Sequence, residues 1–155
     1  GGTLAAGVAI EAARAGLPLA FQLLVYPATD AVRETASAAL FAEGFYLTKA
    51  FMDLANQRYI AGGDPRDPRV SPRHADLPDA LAPAYVVTAG FDPLRDEGEA
   101  YARRLAEAGV RVAMRRLPDQ IHGFFNVVGV GRSSRAANAA IAARLRAALT
   151  AGQQG

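Results

Sequence analysis

The chain has 155 residues, enough for one ordinary domain with a packed core, and its 51% hydrophobic against 21% charged residues is the balance of a globular chain. Basic and acidic side chains nearly cancel at a net charge of +2, and the arginines are dispersed along the chain, which argues against a nucleic-acid-binding stripe. Cysteine is absent, which excludes disulfides, a thiolate nucleophile and cysteine-ligated zinc, and no apolar run approaches the roughly 18 residues that span a bilayer.

In chain order, Thr3 to Ala15 is Ala-rich with Leu4, Val8 and Ile10, and Gly16 and Pro18 stop it, which predicts a helix. "AFQLLVYP" (Ala20 to Pro27) is a short, almost wholly apolar run ending at Pro, the pattern of a strand buried on both faces of a parallel sheet. Residues 30–64 read as a less regular helical insert, in which Thr48 caps a helix carrying Phe51, Leu54, Ala55 and Tyr59 on one stripe. The Gly- and Pro-dense "GGDPRDPRVSPRHADLP" is a loop.

"AYVVTAG" (Ala84 to Gly90) repeats the buried-strand pattern, and "DPLRDEGEAYARRLAEAG" follows as a turn and a helix. That helix has Asp96, Glu97 and Glu99 at its start, a Glu99 to Arg103 pair, and Gly109 at its end. "VRVAMRRLP" (Val110 to Pro118) alternates apolar and basic residues, as a strand with one solvated face near a sheet edge does. A final helix begins at Ser133 or Ser134, which caps it, and carries Ala137, Ile141, Leu145 and Leu149 at four-residue spacing. Strands alternating with helices predict an α/β fold, a parallel sheet with helices on both faces in three αβα layers.

In open parallel sheets, reactive groups collect beyond the carboxyl ends of the strands. Asp92 follows the second strand and His122 follows the third. Singly, Asp92 reads as a turn residue before Pro93 and His122 as a loop histidine in a His-Gly turn. Together, at strand-end positions, they read as an orienting carboxylate and a general base.

"AGFDPLRDEGEAYARRLAEAGV" followed by "HGF" resembles the C-terminal part of the hormone-sensitive-lipase-like esterases, the bacterial branch of the α/β-hydrolase fold, and "LLVYP" and Ser71-Pro72 match further segments. The similarity covers nearly the whole chain. It implies a partial α/β-hydrolase domain over 1–155, with Asp92 as triad acid and His122 as triad base. In that family the nucleophile stands in Gly-Asp-Ser-Ala-Gly-Gly, a tight strand-to-helix elbow. Gly1-Gly2 match its last two residues, so the serine, with the alanine after it, is expected immediately before Gly1. The four serines present, Ser37, Ser71, Ser133 and Ser134, all lie outside a Gly-x-Ser-x-Gly context, and the chain holds no His-Gly-Gly-Gly oxyanion loop.

The resemblance therefore implies a carboxylic ester hydrolase acting on small-molecule esters in the complete protein, without cofactor or metal, and an inactive isolated chain. A serine peptidase of the same fold and a noncatalytic assembly module stand as alternatives. Phe41, Phe45, Leu47, Phe51 and Met52 read either as an acyl pocket or as ordinary helix core. Asp96 and Glu97 read either as residues that order the site or, sufficiently, as helix N-terminal charge complementarity, and Asp119 reads as a solvated loop residue. Because the family pairs another strand beside "FQLLVYP", one sheet edge is expected to be open, with self-association or poor solubility as the result. Without a signal segment in the first residues, the expected location is cytoplasmic.

Overall fold

The structure is a computed structural model and describes residues 1–129 and 133–151. Three strands, β1 (Gln22–Val25), β2 (Ala84–Phe91) and β3 (Val112–Ile121), form a parallel sheet in the order β1-β2-β3. Around them lie α1 (Gly2–Arg14), α2 (Ala36–Leu40), α3 (Lys49–Ile60), α4 (Arg95–Glu107) and α5 (Ser134–Ala151), with a single 3-10 turn at Pro72–His74 inside the long loop. The arrangement is a three-layer αβα one, three parallel strands with flanking helices on both faces.

The apolar character of "AYVVTAG" follows from its position. β2 is the central strand, and every residue from Ala84 to Gly90 is buried. Alternate side chains feed two cores. Leu24 and Val86 pack with Ala6, Ala9 and Ile10 of α1 and with Tyr101, Ala102 and Leu105 of α4. Tyr85, Val87 and Ala89 pack on the opposite face with Leu117, Phe124 and the α5 residues Ala137 and Ile141. Each fully buried aliphatic side chain of this kind contributes roughly 1.5–3 kcal/mol.

Several local expectations are corrected by packing. β3 runs past Pro118 to Ile121 and is the outer strand on that side among the described residues. Its pairing with β2 shifts between Ala89 and Phe91, where a Cβ on Gly90 would lie 2.3 Å from the Pro118 carbonyl oxygen. Met114, Arg115 and Arg116 are all exposed, so both faces of the strand's middle are solvated rather than one. Glu99 turns away from Arg103 and into the sheet, where it accepts from Thr88 Oγ1 at 3.0 Å and takes a two-pronged bond from Arg116 at 2.7 and 2.6 Å. The hydroxyls of Ser133 and Ser134 bond to Asp119 and to Gln120 Oε1, tying α5 to the end of β3 rather than capping the helix. Asp119 thus belongs to β3, not to a loop.

Thr48 does cap α3, accepting from the Phe51 N–H at 3.2 Å. The stripe below it is uncovered, however: Phe51, Leu54 and Tyr59 are exposed, and α3 docks through Met52. The outer edge of β1 likewise meets no strand among the described residues, and Leu17 and Leu19 before it and Leu4 and Val8 on α1 are exposed. Of the α5 stripe, Leu149 is exposed.

Candidate active site

The site follows from register. β2 ends at Phe91 and β3 at Ile121, and these two residues pair across the sheet. Asp92 and His122 are therefore the next residues on neighbouring parallel strands, which lie about 4.8 Å apart. A separation of thirty positions in sequence becomes a hydrogen bond: His122 Nδ1 lies 2.9 Å from Asp92 Oδ2. The second Asp92 oxygen accepts from the Leu94 N–H at 2.8 Å. Asp92's side chain is 1% exposed and that of His122 is 20% exposed. With the carboxylate on Nδ1, the imidazole carries its proton there and presents Nε2 as an acceptor.

The surroundings fix the ring. Tyr26, directly after β1, packs its ring 4.4 Å from the His122 ring and meets Phe124 edge-on at 5.2 Å. Its backbone is in the left-handed region at φ 38°, a costly conformation for a bulky residue. Burial first, and then the negative charge of Asp92, hold the Tyr26 hydroxyl above the usual phenol range. Gly123 has φ 87°, and a Cβ there would lie 2.8 Å from the Tyr46 ring, so the His-Gly pair is required by backbone and space together. From α5, the Asn138 amide donates to the Phe125 carbonyl at 2.9 Å and anchors the loop.

His122 opens onto a cleft of about 630 Å³ shared with Gly1 and Gly2 at the head of α1, Tyr26, Arg33, Leu47, Phe51 and Met52. A Cβ on Gly2 would lie 2.5 Å from Pro27 Cα, so the start of α1 is pressed against the Tyr-Pro turn. Of the five apolar residues singled out in the insert, Leu47, Phe51 and Met52 line this cleft. Phe41 and Phe45 do not. They cluster with Phe91, at 5.8 and 5.5 Å between ring centroids, and the Arg95 guanidinium lies over Phe41 at 5.1 Å.

The serines of the chain are engaged elsewhere. Ser37 donates to the Pro93 carbonyl at 2.9 Å. Ser71 donates to the Pro65 carbonyl and accepts from the Ala31 N–H. Among the described residues no hydroxyl bonds to His122 Nε2, no group of three or more His, Asp or Glu forms a metal-binding cluster, and no helix is long and apolar enough to cross a membrane.

Three residues near the site play parts that the sequence did not assign to them. Glu97 is fully buried, and its Oε1 accepts from the Thr29 and Asp30 N–H groups at 2.7 and 3.1 Å while Oε2 has no partner. Burial, only partly offset by those bonds and by the charge of Arg33, pushes its carboxyl up to about 7. The signal was its spacing: Glu97, Tyr101 and Leu105 form one buried stripe at intervals of four. Asp30 is also buried and accepts from Arg73 at 2.7 Å and pairs with His74 at 3.2 Å. Burial raises its carboxyl, but the His74 bond, the Val32 N–H and the Arg73 charge outweigh this and hold it below the usual range. Arg33 carried no sequence signal at all.

Known proteins resemble the chain in sequence and fold. A family profile described as the alpha/beta hydrolase fold matches residues 1–126. The chain is 45% identical over 131 residues to the carboxylic ester hydrolase LipN of Mycobacterium tuberculosis, covering 83% of this chain and 35% of that one. It is 37% identical over 141 residues to the carboxylesterase NlhH of the same species, covering 88% and 44%. Among solved structures it superposes on a serine-to-alanine mutant of LAE6, an α/β hydrolase enzyme from the metagenome of Lake Arreo, with a TM-score of 0.86 and 46% identity over 92% of this chain and 45% of the other. The chain spans less than half the length of these relatives. It belongs to the hormone-sensitive-lipase-like branch of the α/β-hydrolase fold family and is similar to the carboxylic ester hydrolases within it.

Proposed function

We propose that the longer protein corresponding to these relatives hydrolyses carboxylic esters through an acyl-serine intermediate, with His122 as base and Asp92 as its orienting carboxylate. The observation that carries this reading is the 2.9 Å His122–Asp92 bond at paired strand ends, opening onto the cleft that also holds Gly1 and Gly2. The serine is assigned to the position before the alanine that precedes Gly1 in the elbow pattern. His122 Nε2 takes the serine proton as the hydroxyl oxygen attacks the ester carbonyl, and returns it to the departing alcohol. Water then repeats the sequence on the acyl-serine and frees the acid.

The chain of 155 residues taken alone is inactive on this reading, because removing the nucleophile disables a triad that acts as a unit. The edge of β1 and the exposed stripes of α1 and α3 are assigned to association, either with the remainder of such a protein or with a second copy. The test measures hydrolysis of a short p-nitrophenyl ester. The isolated chain is expected to show no turnover above its His122→Ala variant, and turnover that this substitution abolishes would refute inactivity. In the longer protein Asp92→Asn is expected to lower kcat by about 10⁴, and unchanged activity would remove Asp92 from the triad.

A further inference from the structure

The insert residue Arg33 stands apart from the other insert residues that line the cleft. Leu47, Phe51 and Met52 are apolar, whereas Arg33 brings a permanent positive charge to the same wall and also faces a second cavity of about 270 Å³ beside Gly1. A guanidinium has five N–H donors in a rigid fork. Among the described residues, one of these makes a single long bond, Nη1 to the Met52 carbonyl at 3.4 Å, and the buried Nε has no partner. Its backbone is held in the left-handed region at φ 56°, which costs free energy in a residue that is not glycine.

The nearby carboxylates are not bonded to Arg33, although its charge reaches Glu97. Asp30 is taken by Arg73 and His74. Glu97 spends one oxygen on two backbone N–H groups, and burial pushes its carboxyl up to about 7, so near neutrality it is only partly ionised. Arg33 forms no ion pair among the described residues.

We propose that Arg33 is a specificity-determining residue that receives a carboxylate carried by the ester, so that the cleft selects anionic esters over neutral ones of the same length. The proposal rests on the ester-hydrolase reading for the word ester, but the binding preference does not depend on turnover. A carboxylate set end-on against the free Nη–H groups makes charge-assisted bonds, while the ester portion lies along Leu47, Phe51 and Met52 toward His122.

The experiment titrates the chain with monoethyl succinate and, separately, diethyl succinate, and reads binding by saturation-transfer NMR, which tolerates self-association. The monoester is expected to bind about tenfold or more tightly than the diester, in line with one charge-assisted bidentate contact. Arg33→Gln is expected to erase that preference while leaving diester binding unchanged. Arg33→Lys keeps the charge without the fork and is expected to retain a reduced preference, which decides the matter if the glutamine variant fails to fold by circular dichroism. His122→Ala is expected to leave the preference intact, which separates Arg33 from the imidazole of the cleft. Equal affinities in the parent chain, absence of binding by both probes, or a preference that survives Arg33→Gln or disappears with His122→Ala overturns the proposal. Loss of ester turnover in the longer protein, with the preference intact, would instead refute the hydrolase reading alone.

Discussion

Replacing Glu97 with Gln tests whether a buried carboxyl sets the pH dependence of stability. An isolated carboxyl of this type titrates near 4.5, and in the folded chain burial pushes Glu97 up to about 7. The folded state therefore holds this proton more tightly than the unfolded state. The stabilisation it confers is fully present below pH about 4.5 and is lost as pH rises through about 7. The loss amounts to about 3 kcal/mol, from 1.36 kcal/mol for each unit between the two values. That is a large share of the 5–15 kcal/mol typical of a domain.

Glutamine keeps an acceptor for the Thr29 and Asp30 N–H groups but places an amide donor where Glu97 Oε2 has no partner. This donor is unsatisfied at every pH, as is the O–H of the protonated Glu97 carboxyl. The variant is therefore expected to gain stability relative to the parent as pH rises. The assay is urea unfolding at sub-micromolar protein, followed by tyrosine fluorescence because the chain has five tyrosines and no tryptophan. Between about pH 5 and about pH 8.5 the stability difference between the two proteins is expected to change by about 3 kcal/mol. Asp30, Asp96 and Glu99 do not interfere, since each is held below its usual range and loses its contribution only at lower pH. Both histidines are common to the two proteins and cancel in the difference. A difference that stays constant across the range refutes the reasoning.

Gly90→Ala is expected to destabilise by about 3 kcal/mol or more, because its Cβ would meet the backbone of Pro118 rather than a side chain that can turn away. A urea midpoint close to the parent's would show that the bulge relaxes. Sedimentation velocity is expected to find the isolated chain in concentration-dependent association, reduced when Leu17 and Leu19, both exposed beside the open β1 edge, are changed to Lys. A monodisperse monomer of the parent chain would contradict this.

The Asp92–His122 pair was legible because parallel-sheet topology alone brings the residues after two adjacent strands together, whatever lies between them in sequence. What escaped were the side chains whose partners sit on another segment. Phe41 and Phe45 read either as pocket or as helix core by composition, and Phe91 and Arg95 gather them into a cluster outside the cleft lining. Glu99 was matched to Arg103 by helical spacing, whereas Arg116 on β3 offers a two-pronged bond that a surface pair cannot equal.

The run Asp92-Pro-Leu-Arg-Asp-Glu97 shows most clearly why local rules fell short. Read along the helix, its acids complement a dipole. In the fold, each charged side chain holds a different segment to the strand end: Asp92 takes His122, Arg95 donates to the Gly90 carbonyl at 3.0 Å, Asp96 accepts from the Ser37 N–H at 2.8 Å, and Glu97 takes the Thr29 and Asp30 N–H groups. Four segments separated by up to some ninety residues converge on six. A substitution there perturbs the placement of Tyr26, the insert or His122 before it perturbs the helix. For that reason the run is a sharper marker of this site than its helix-starting chemistry alone explains.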